Sequence, residues 1–395
     1  MYQAFQLKQK KDESLRRFHP WVFSGALALS TTTPEEGEVV RVLAADGSFL
    51  GVGHFQIGSI AVRILSFRDE TIDTNFYRTA LTRALQLRQD LHLLRSDNNT
   101  WRLVHGEGDH LPGLIIDIYG STAVIQAHSV GMHRDMELIV AALKEVMAVA
   151  NLKQIYYKSE GTLPFKADLG AEDGYLWGGE DVDAIAVENG LRFEIDWLRG
   201  QKTGFFIDQR ENRKLLEQYA SGRTLLNMFC YTGGFSVYGL RGGARVVDSV
   251  DSSSKAVSIT ASNVTLNFGE EPRHHPFSED AFRYLKETPA GKYDLMVLDP
   301  PAFAKHRGAV NNALQGYKKL NLAAIEKLAP GGILFTFSCS QAITKEQFRL
   351  AVFSAAAISG RKVRILHQLT QPADHPINIY HPEGEYLKGL VLHVE

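Results

Sequence analysis

The second half of the sequence alternates short apolar runs with helical patterns, and this alternation constrains the fold more than any other feature. From about residue 189 onward, candidate strands lie at 224–229, 245–250, 293–298, 332–337, 362–366 and 389–394. Helical stretches near 233–241, 253–263, 280–287, 317–328 and 345–357 lie between them. Strands joined by helices of this length need right-handed crossovers, so we expect an α/β fold with a mostly parallel sheet.

The first half predicts two smaller domains. Residues 1–70 contain short β-branched runs interrupted by glycines, a pattern typical of a β-rich domain. Residues 71–188 combine helical patterns over 73–92 and about 133–150 with strand-like runs at 114–118, 123–126 and 154–157, which predicts a small α+β domain. The glycine- and acid-rich passage 170–181 predicts a loop or exposed hairpin that links this domain to the α/β domain at 189–395.

Composition excludes several classes of protein. The chain of 395 residues has 44% apolar and 22% charged residues, as a folded globular protein does. Its 43 basic and 45 acidic residues give a formal net charge of −2, so nucleic-acid binding would need local basic patches. The two cysteines, Cys230 and Cys339, are too few for a disulfide scaffold or a cysteine-based zinc site. We expect a cytoplasmic protein without signal peptide, membrane span or bound metal.

A basic segment near the N-terminus is followed by aromatic residues. The candidate RNA-binding residues of this region are Lys8, Lys10, Lys11, Arg16, Arg17 and Trp21. Cations beside aromatic rings can hold phosphates and stack on bases. The alternative is a solvated strand edge followed by core aromatics, and composition alone favours that alternative.

Ligands of open α/β sheets bind at the carboxyl ends of the strands, so the residues after each candidate strand form the candidate site. Gly233 and Gly234 permit close approach of a ligand, although an ordinary strand-to-helix turn has the same pattern. Neither G-x-G-x-x-G nor the P-loop spacing occurs there, which argues against a nicotinamide or nucleoside triphosphate site. Asp251 could bind both hydroxyls of a ribose, and Asp280 could bind an adenine amine or cap a helix.

Asp299 and Cys339 are the candidates for chemistry. Asp299 precedes Pro300 and Pro301, which make a rigid loop that would hold the acid at the strand end, facing the cleft. Cys339 follows the next apolar strand and should face the same cleft. A free cysteine is usually a small buried hydrophobe, so a reactive thiol and a packing role are about equally supported by the pattern.

Five spaced motifs, taken in order, resemble those of the S-adenosylmethionine-dependent RNA cytosine-5 methyltransferases. They are GFFIDQR (204–210), NMFCYTGGFS (227–236), VDSS (250–253), LDPPAF (298–303) and SCS (338–340). The closest resemblance is to the bacterial large-subunit (23S) ribosomal RNA methyltransferases with an N-terminal PUA domain, and residues 19–25 and 109–117 resemble the starts of their PUA and middle domains. It implies a PUA-like RNA-binding domain at 1–70, an α+β domain at 71–188 and a Rossmann-like class I methyltransferase domain at 189–395.

The resemblance also implies roles for individual residues. S-adenosylmethionine would be held by Phe206, Gln209, Arg210, Phe229, Tyr231, Thr232, Gly233, Gly234, Asp251, Ser252, Asp280, Ala281 and Asp299. Asp251 would bind the ribose, Asp280 the adenine, and Asp299 would face both the methyl donor and the target base. Cys339 would be the nucleophile that adds to C6 of cytosine. Cys230, in the glycine-rich turn, would serve packing or cofactor contact.

One departure from the wider family leaves a role vacant. Many of those enzymes carry a second cysteine in the Asp-Pro-Pro region for product release, whereas Pro301 is followed here by Ala302 and Phe303. The base that removes the C5 proton is therefore unassigned. Three alternatives remain: methylation of another atom such as a guanine nitrogen, a catalytically inactive RNA-binding assembly factor, and an oxidoreductase. The absence of G-x-G-x-x-G disfavours the oxidoreductase. The sequence does not identify the target nucleotide or whether the substrate is naked RNA or an assembled particle. It also leaves the oligomeric state open, with a homodimer among the alternatives.

Overall fold

The computed structural model describes residues 2–28, 33–164, 169–179, 184–304 and 307–395. The chain forms two compact units. The first comprises Met1–Asn189, Ile195–Ile207 and Ala373–Gly384, and the second comprises Gly190–Glu194, Asp208–Pro372 and Glu385–Glu395. Within the described ranges, no helix has the length and apolar character needed to span a bilayer.

The first sheet of the first unit is built from the β-branched runs near the N-terminus. Its strands are β1 (Gln3–Gln6), β2 (Trp21–Phe23), β3 (Val39–Leu43), β4 (Phe49–Phe55) and β5 (Ile60–Ser66), and helix α1 (Glu13–Arg16) precedes β2. The strand order is β1-β3-β4-β5-β2. Alternate residues such as Val40, Val42 and Val62 enter a common core, as the two-residue period of a strand requires. The expectation of a β-rich N-terminal region is confirmed.

A second sheet in the same unit packs against three helices, and together they form one hydrophobic core. Its order is β10-β9-β8-β7-β6, from β6 (Thr100–His105), β7 (Leu114–Tyr119), β8 (Thr122–Ala127), β9 (Gln154–Tyr157) and β10 (Gly174–Trp177). The helices are α2 (Thr74–Asp90), α3 (Val130–Arg134) and α4 (Met136–Val146), and strand β11 (Ile185–Glu188) follows. Helix α2 begins after Asp73, whose side chain accepts a hydrogen bond from the Phe76 amide at 2.9 Å.

Two features of this sheet differ from the sequence-based expectation. Strand β6 was not among the expected strands. The passage 170–181, expected as a loop or exposed hairpin, contributes β10, which pairs antiparallel with β9 at the sheet edge. Trp177 explains the pairing, because its ring packs against the core and lies 4.9 Å from the ammonium of Lys144. Residues 180 and 181 of the passage lie outside the described ranges.

The second unit is the expected α/β structure. After β12 (Leu191–Glu194) and α5 (Arg210–Tyr219) come β13 (Thr224–Met228), α6 (Gly234–Arg241), β14 (Val246–Asp251), α7 (Ser254–Phe268), β15 (His274–Ser278), α8 (Ala281–Glu287), β16 (Tyr293–Leu298), α9 (Val310–Lys327), β17 (Leu328–Ser338), α10 (Lys345–Ser359), β18 (Val363–Leu369) and β19 (Lys388–Val394). The sheet order is β15-β14-β13-β16-β17-β19-β18. Strands β13 to β17 are parallel, and β19 runs antiparallel to β17 and β18.

This topology positions a ligand site. The chain winds outward from β13 through β14 to β15 and then returns to β16 on the other side of β13. The strand order therefore reverses between β13 and β16, and in open α/β sheets such a reversal opens a crevice at the carboxyl ends of the strands. The segments that follow β13 and β16 are the glycine-rich turn and Asp299.

Candidate active site

The turn after β13 has an unusual backbone. Phe229 and Tyr231 have φ values of 59° and 48°, a left-handed conformation that is uncommon for residues other than glycine. Helix α7 holds this turn in place: Thr260 Oγ1 donates to the Tyr231 carbonyl at 2.8 Å, and Asn263 Nδ2 donates to the Thr232 carbonyl at 2.9 Å. Strained backbone persists only where its surroundings impose it, and it is concentrated at functional sites.

Gly233 completes the turn because no other residue fits there. Its φ is 80°, and a Cβ on this residue would lie 2.5 Å from Cγ2 of Thr260. Gly234 begins α6, where a Cβ would lie 2.9 Å from Cδ of Arg213. The glycines therefore allow the turn to pack closely against helix α7 and Arg213.

Asp251 is the last residue of β14, and backbone hydrogen bonds fix its carboxylate. Oδ2 accepts from the Tyr231 amide at 3.0 Å, and Oδ1 accepts from the Ser253 amide at 2.9 Å. The side chain is partly exposed, and each oxygen keeps a lone pair for a further donor. A second acid, Asp248, lies inside β14, where its carboxylate accepts hydrogen bonds from Lys292 at 2.9 Å and from Tyr293. Asp251 thus suits a ribose, and Asp248 serves the fold.

Asp280 follows β15 and is exposed. Its side chain caps helix α8 by accepting from the Arg283 amide at 2.9 Å, which is the capping alternative recognised in the sequence. Asp280 lies just beyond the carboxyl end of β15, an edge strand of the sheet. Of the two neighbours expected to assist, Ser252 is exposed and Ala281 is buried.

Asp299 directly follows β16 and is joined to α5 through a chain of amides. Gln209 Nε2 donates to Asp299 Oδ2 at 3.0 Å, and Asn212 Nδ2 donates to Gln209 Oε1 at 2.6 Å. Burial and the negative charge of Asp208 raise the pKa of Asp299 to about 7. A carboxyl with such a pKa can act as either acid or base near neutral pH.

Asp208 precedes Gln209 in the chain and is held by Tyr386. The Tyr386 hydroxyl donates to Asp208 Oδ2 at 2.7 Å. Oδ1 of Asp208 is buried and has no hydrogen-bond partner among the described residues. Arg210, expected at the cofactor, is buried with its guanidinium 3.3 Å from Glu211.

Cys339 lies just beyond the carboxyl end of β17, partly buried, with Sγ 3.9 Å from the Pro300 carbonyl oxygen. The structure therefore brings Cys339 next to the Asp-Pro-Pro loop. Burial and the charges of Asp299 and Asp208 raise the pKa of the thiol to about 12, whereas Lys388 acts in the opposite direction. Lys388 is buried, donates to the Ser340 carbonyl at 2.7 Å, and has a pKa lowered by burial to about 8.

The other cysteine, Cys230, is packed behind the glycine-rich turn. Its Sγ lies 3.7 Å from Thr260 Oγ1. Burial and the nearby Asp251 raise the pKa of this thiol to about 12. Sγ also lies 3.8 Å from the Tyr231 carbonyl oxygen, so the thiol contacts both the turn and helix α7.

Phe206 and the candidate RNA-binding residues lie in the first unit. Lys8 donates to the Gly25 carbonyl at 3.0 Å, and Arg16 and Arg17 pair with Asp12 and Glu13 at 2.6 and 2.5 Å. Lys10 and Lys11 are exposed.

The Trp21 side chain is occupied by contacts within the first unit. Its Nε1 donates to Glu107 at 2.9 Å, and its ring meets the His381 ring at a centroid distance of 4.3 Å. Phe18 and Phe23, at 49% and 46% exposure, present more ring surface than Trp21.

One cluster in the first unit has the composition of a metal site. Candidate ligand atoms of His19, His381 and Glu383 lie within 4.8 Å of one another. However, His19 Nδ1 accepts the Trp21 amide hydrogen at 3.2 Å, so the neutral ring carries its proton on Nε2, which faces Glu383 at 3.5 Å. That arrangement suits a hydrogen-bonded cluster, because coordination through Nε2 would require the proton on Nδ1.

Sequence reasoning missed four residues of this site: Asp208, Asn212, Tyr386 and Lys388. Asp208 stands beside Gln209 in the motif 204–210, so the motif itself contained a signal. Lys388 begins β19 and Tyr386 precedes it. No local pattern connects these residues to β16 or β17, because antiparallel insertion of β19 beside β17 creates the proximity.

Comparison with known proteins gives matches over nearly the whole chain. A family model described as S-adenosylmethionine-dependent methyltransferase matches residues 166–380, and a PUA-like domain model matches residues 5–67. Ribosomal RNA large subunit methyltransferase I of Tolumonas auensis is 40% identical over 392 residues, covering 98% of both chains. The protein of the same name from Aeromonas hydrophila is 37% identical over 398 residues, covering 99% of both.

Solved structures share the fold. A Streptococcus mutans protein proposed to be a SAM-dependent methyltransferase has a TM-score of 0.85 at 22% identity, covering 99% of this chain and 100% of that one. SMU.776, proposed to be a methyltransferase and solved with SAH, has a TM-score of 0.86 at 23% identity, with the same coverage.

Proposed function

Because this chain belongs to the S-adenosylmethionine-dependent methyltransferase family and uses that cofactor as methyl donor, we propose that it methylates C5 of a cytosine in large-subunit (23S) ribosomal RNA. The names of its relatives support ribosomal RNA as the substrate. Residues 1–70 would hold RNA as a PUA-like domain, residues 71–188 would form the middle domain, and residues 189–395 would carry the chemistry.

The observation that carries the cytosine assignment is the position of Cys339 beside the Asp299-Pro300 loop. C5 of cytosine is a poor nucleophile, and addition of a thiolate to C6 turns the ring into an enamine with electron density at C5. A guanine nitrogen already has a lone pair and needs no thiol. A cysteine at the carboxyl end of β17, adjacent to the acid at the end of β16, therefore favours the cytosine reaction.

The turn after β13 and the acids of the neighbouring strands would bind the donor. Asp251 would accept hydrogen bonds from the ribose hydroxyls, and Asp280 would accept one from the adenine amine. The close-packed turn 229–234 would lie against the methionine part, with Gln209 and Arg210 assisting. The bound cofactor supplies an electrophilic methyl group on a sulfonium sulfur.

The protonation states of Asp299 and Cys339 suit an acid-assisted addition. With a pKa of about 7, a large fraction of Asp299 is protonated at neutral pH and can donate to N3 of cytosine while C6 is attacked. The Cys339 thiol, with a pKa of about 12, is protonated in the free protein and must release its proton to solvent as the sulfur attacks C6. The Lys388 ammonium favours the resulting thiolate by charge.

RNA containing 5-fluorocytosine tests the proposal, since fluorine cannot leave C5 as a proton does. The wild-type enzyme should be trapped with this RNA and S-adenosylmethionine, giving a slower band on a denaturing gel. Cys339→Ala should form no adduct, and the matched variant Cys230→Ala should still form one. An enzyme that acts on a guanine nitrogen would show no adduct and would tolerate Cys339→Ala, which would refute the cytosine assignment while leaving the cofactor site intact.

A further inference from the structure

The proposed reaction ends with an elimination that needs a base. After methyl transfer, C5 carries both the methyl group and its original hydrogen. The C5–H bond must break, its electron pair must restore the C5–C6 double bond, and the C6–S bond must break so that Cys339 leaves as a thiolate. The proton needs an acceptor, and the segment after Asp299 offers only prolines, Ala302 and Phe303 at the positions where a second cysteine would stand.

Asp208 has an uncommitted oxygen at this site. It lies in the short 3₁₀ helix Ile207–Gln209, and Tyr386 donates to Oδ2 at 2.7 Å. Oδ1 is buried and lacks a hydrogen-bond partner among the described residues. Burial of an unpaired polar oxygen is destabilising, so an instance that persists in a fold needs an explanation such as a role in chemistry.

Asp208 is linked to Asp299 through the next residue in the chain. Its sequence neighbour Gln209 donates directly to Asp299. Burial is the largest cause of the raised pKa of Asp299, and the charge of Asp208 is the second. Burial also raises the pKa of Cys339 most, followed by the charges of Asp299 and Asp208. Coulombic interactions weaken with distance, so these contributions support a position of Asp208 near the acid and the thiol.

Other nearby groups fit the role less well. Lys388 donates to the Ser340 carbonyl, and with a pKa of about 8 it is mostly an ammonium at neutral pH, a form that cannot accept a proton. Both oxygens of Asp251 hold backbone amides of the cofactor turn. Asp299 is bound by Gln209 and faces the cytosine edge in the proposed reaction.

We propose that Asp208 is the base that removes the C5 proton, with Oδ1 as the acceptor and Tyr386 holding the carboxylate in orientation. This inference rests on the proposed cytosine-5 reaction. The proton passes from C5 to Asp208 and then to solvent when the product leaves. Tyr386 is a positioning residue, because it acts through Asp208 and does not touch the substrate.

The substitution Asp208→Asn tests the inference with ordinary RNA. An amide has the same shape and accepts no proton, so methyl transfer should proceed and elimination should stall. We expect a covalent enzyme–RNA band that contains labelled methyl from S-adenosylmethionine, with turnover lowered about 10²–10⁴-fold. The wild type should show no such band with the same RNA. Asp208→Glu should recover part of the turnover, and Tyr386→Phe should lower turnover less than Asp208→Asn.

Two results would overturn the inference. One is turnover near the wild-type rate in Asp208→Asn. The other is loss of turnover without a methylated adduct, which would assign Asp208 to an earlier step. Cofactor binding by the variant, measured by calorimetry, separates either result from a failure to fold. Failure of the wild type to be trapped by 5-fluorocytosine RNA would instead remove the cytosine reaction itself, and the two failures are therefore distinguishable.

Discussion

Replacing Asp299 by asparagine should remove activity and stabilise the fold at alkaline pH. Burial and Asp208 raise the pKa of Asp299 from 3.8 to about 7 in the folded protein. A carboxyl with a raised folded pKa holds its proton more tightly when folded, so it contributes most stability below pH 3.8 and loses that contribution as the pH rises towards 7. Asparagine carries no such charge and can still accept the hydrogen bond from Gln209 Nε2.

The size of the effect follows from the shift. Each pKa unit corresponds to about 1.4 kcal/mol, so the interval from pH 5 to pH 7 is worth at most about 2.7 kcal/mol. Asp299 is partly buried, and solvent screening reduces this figure to about 1–2 kcal/mol. The stability difference between Asp299→Asn and wild type should therefore grow by about 1–2 kcal/mol between pH 5 and pH 8, or a few degrees in Tm.

Urea unfolding of both proteins at pH 5 and pH 8 measures this difference. Asp280→Asn is the matched control, because Asp280 is an exposed helix cap and asparagine caps equally well. Its effect should be small at both pH values. The prediction is refuted if the stability of Asp299→Asn relative to wild type is the same at pH 5 and pH 8, or lower at pH 8. Either result would show that the fold does not raise the pKa of the Asp299 carboxyl.

Three further predictions concern the cofactor turn and the RNA. Asp251→Ala should weaken S-adenosylmethionine binding in calorimetry at least tenfold, about 1.4 kcal/mol, and an unchanged Kd would remove Asp251 from the site. Gly233→Ala should destabilise the fold in urea by about 1–3 kcal/mol more than Gly291→Ala, since both glycines have positive φ but only a Cβ at Gly233 meets a neighbour; equal losses would contradict the close packing at Thr260. The double variant Lys10→Ala, Lys11→Ala should weaken RNA binding and flatten its logarithmic salt dependence by about 1.4, whereas Lys319→Ala should leave that slope unchanged. An unaltered slope in the double variant would place the RNA elsewhere.

Local patterns in the sequence predicted most of the second unit. Strands β13, β16 and β17 are largely buried on both faces, so they contain apolar runs that need little tertiary context, and β14 contributes Val246, Val247 and Val250. Strand β15 was missed because it is an edge strand with the sequence HHPFS, in which a proline and polar residues are tolerated. Helix α9 begins at Val310, earlier than the expected 317, because residues 310–316 include two asparagines and a glycine that weaken the helical pattern.

The residues of the candidate site also fall into two groups, those that local sequence patterns indicated and those that only the tertiary structure showed. Asp251, Asp299 and Cys339 were identified from sequence because each stands at or just after the carboxyl end of a strand, and parallel strands bring those ends to one edge. The tertiary structure alone showed that Tyr386 reaches Asp208, that Lys388 lies buried beside Ser340, and that Oδ1 of Asp208 has no described partner. These depend on the antiparallel insertion of β19 and on burial. Both are properties of contacts between residues far apart in the chain, which local patterns do not encode.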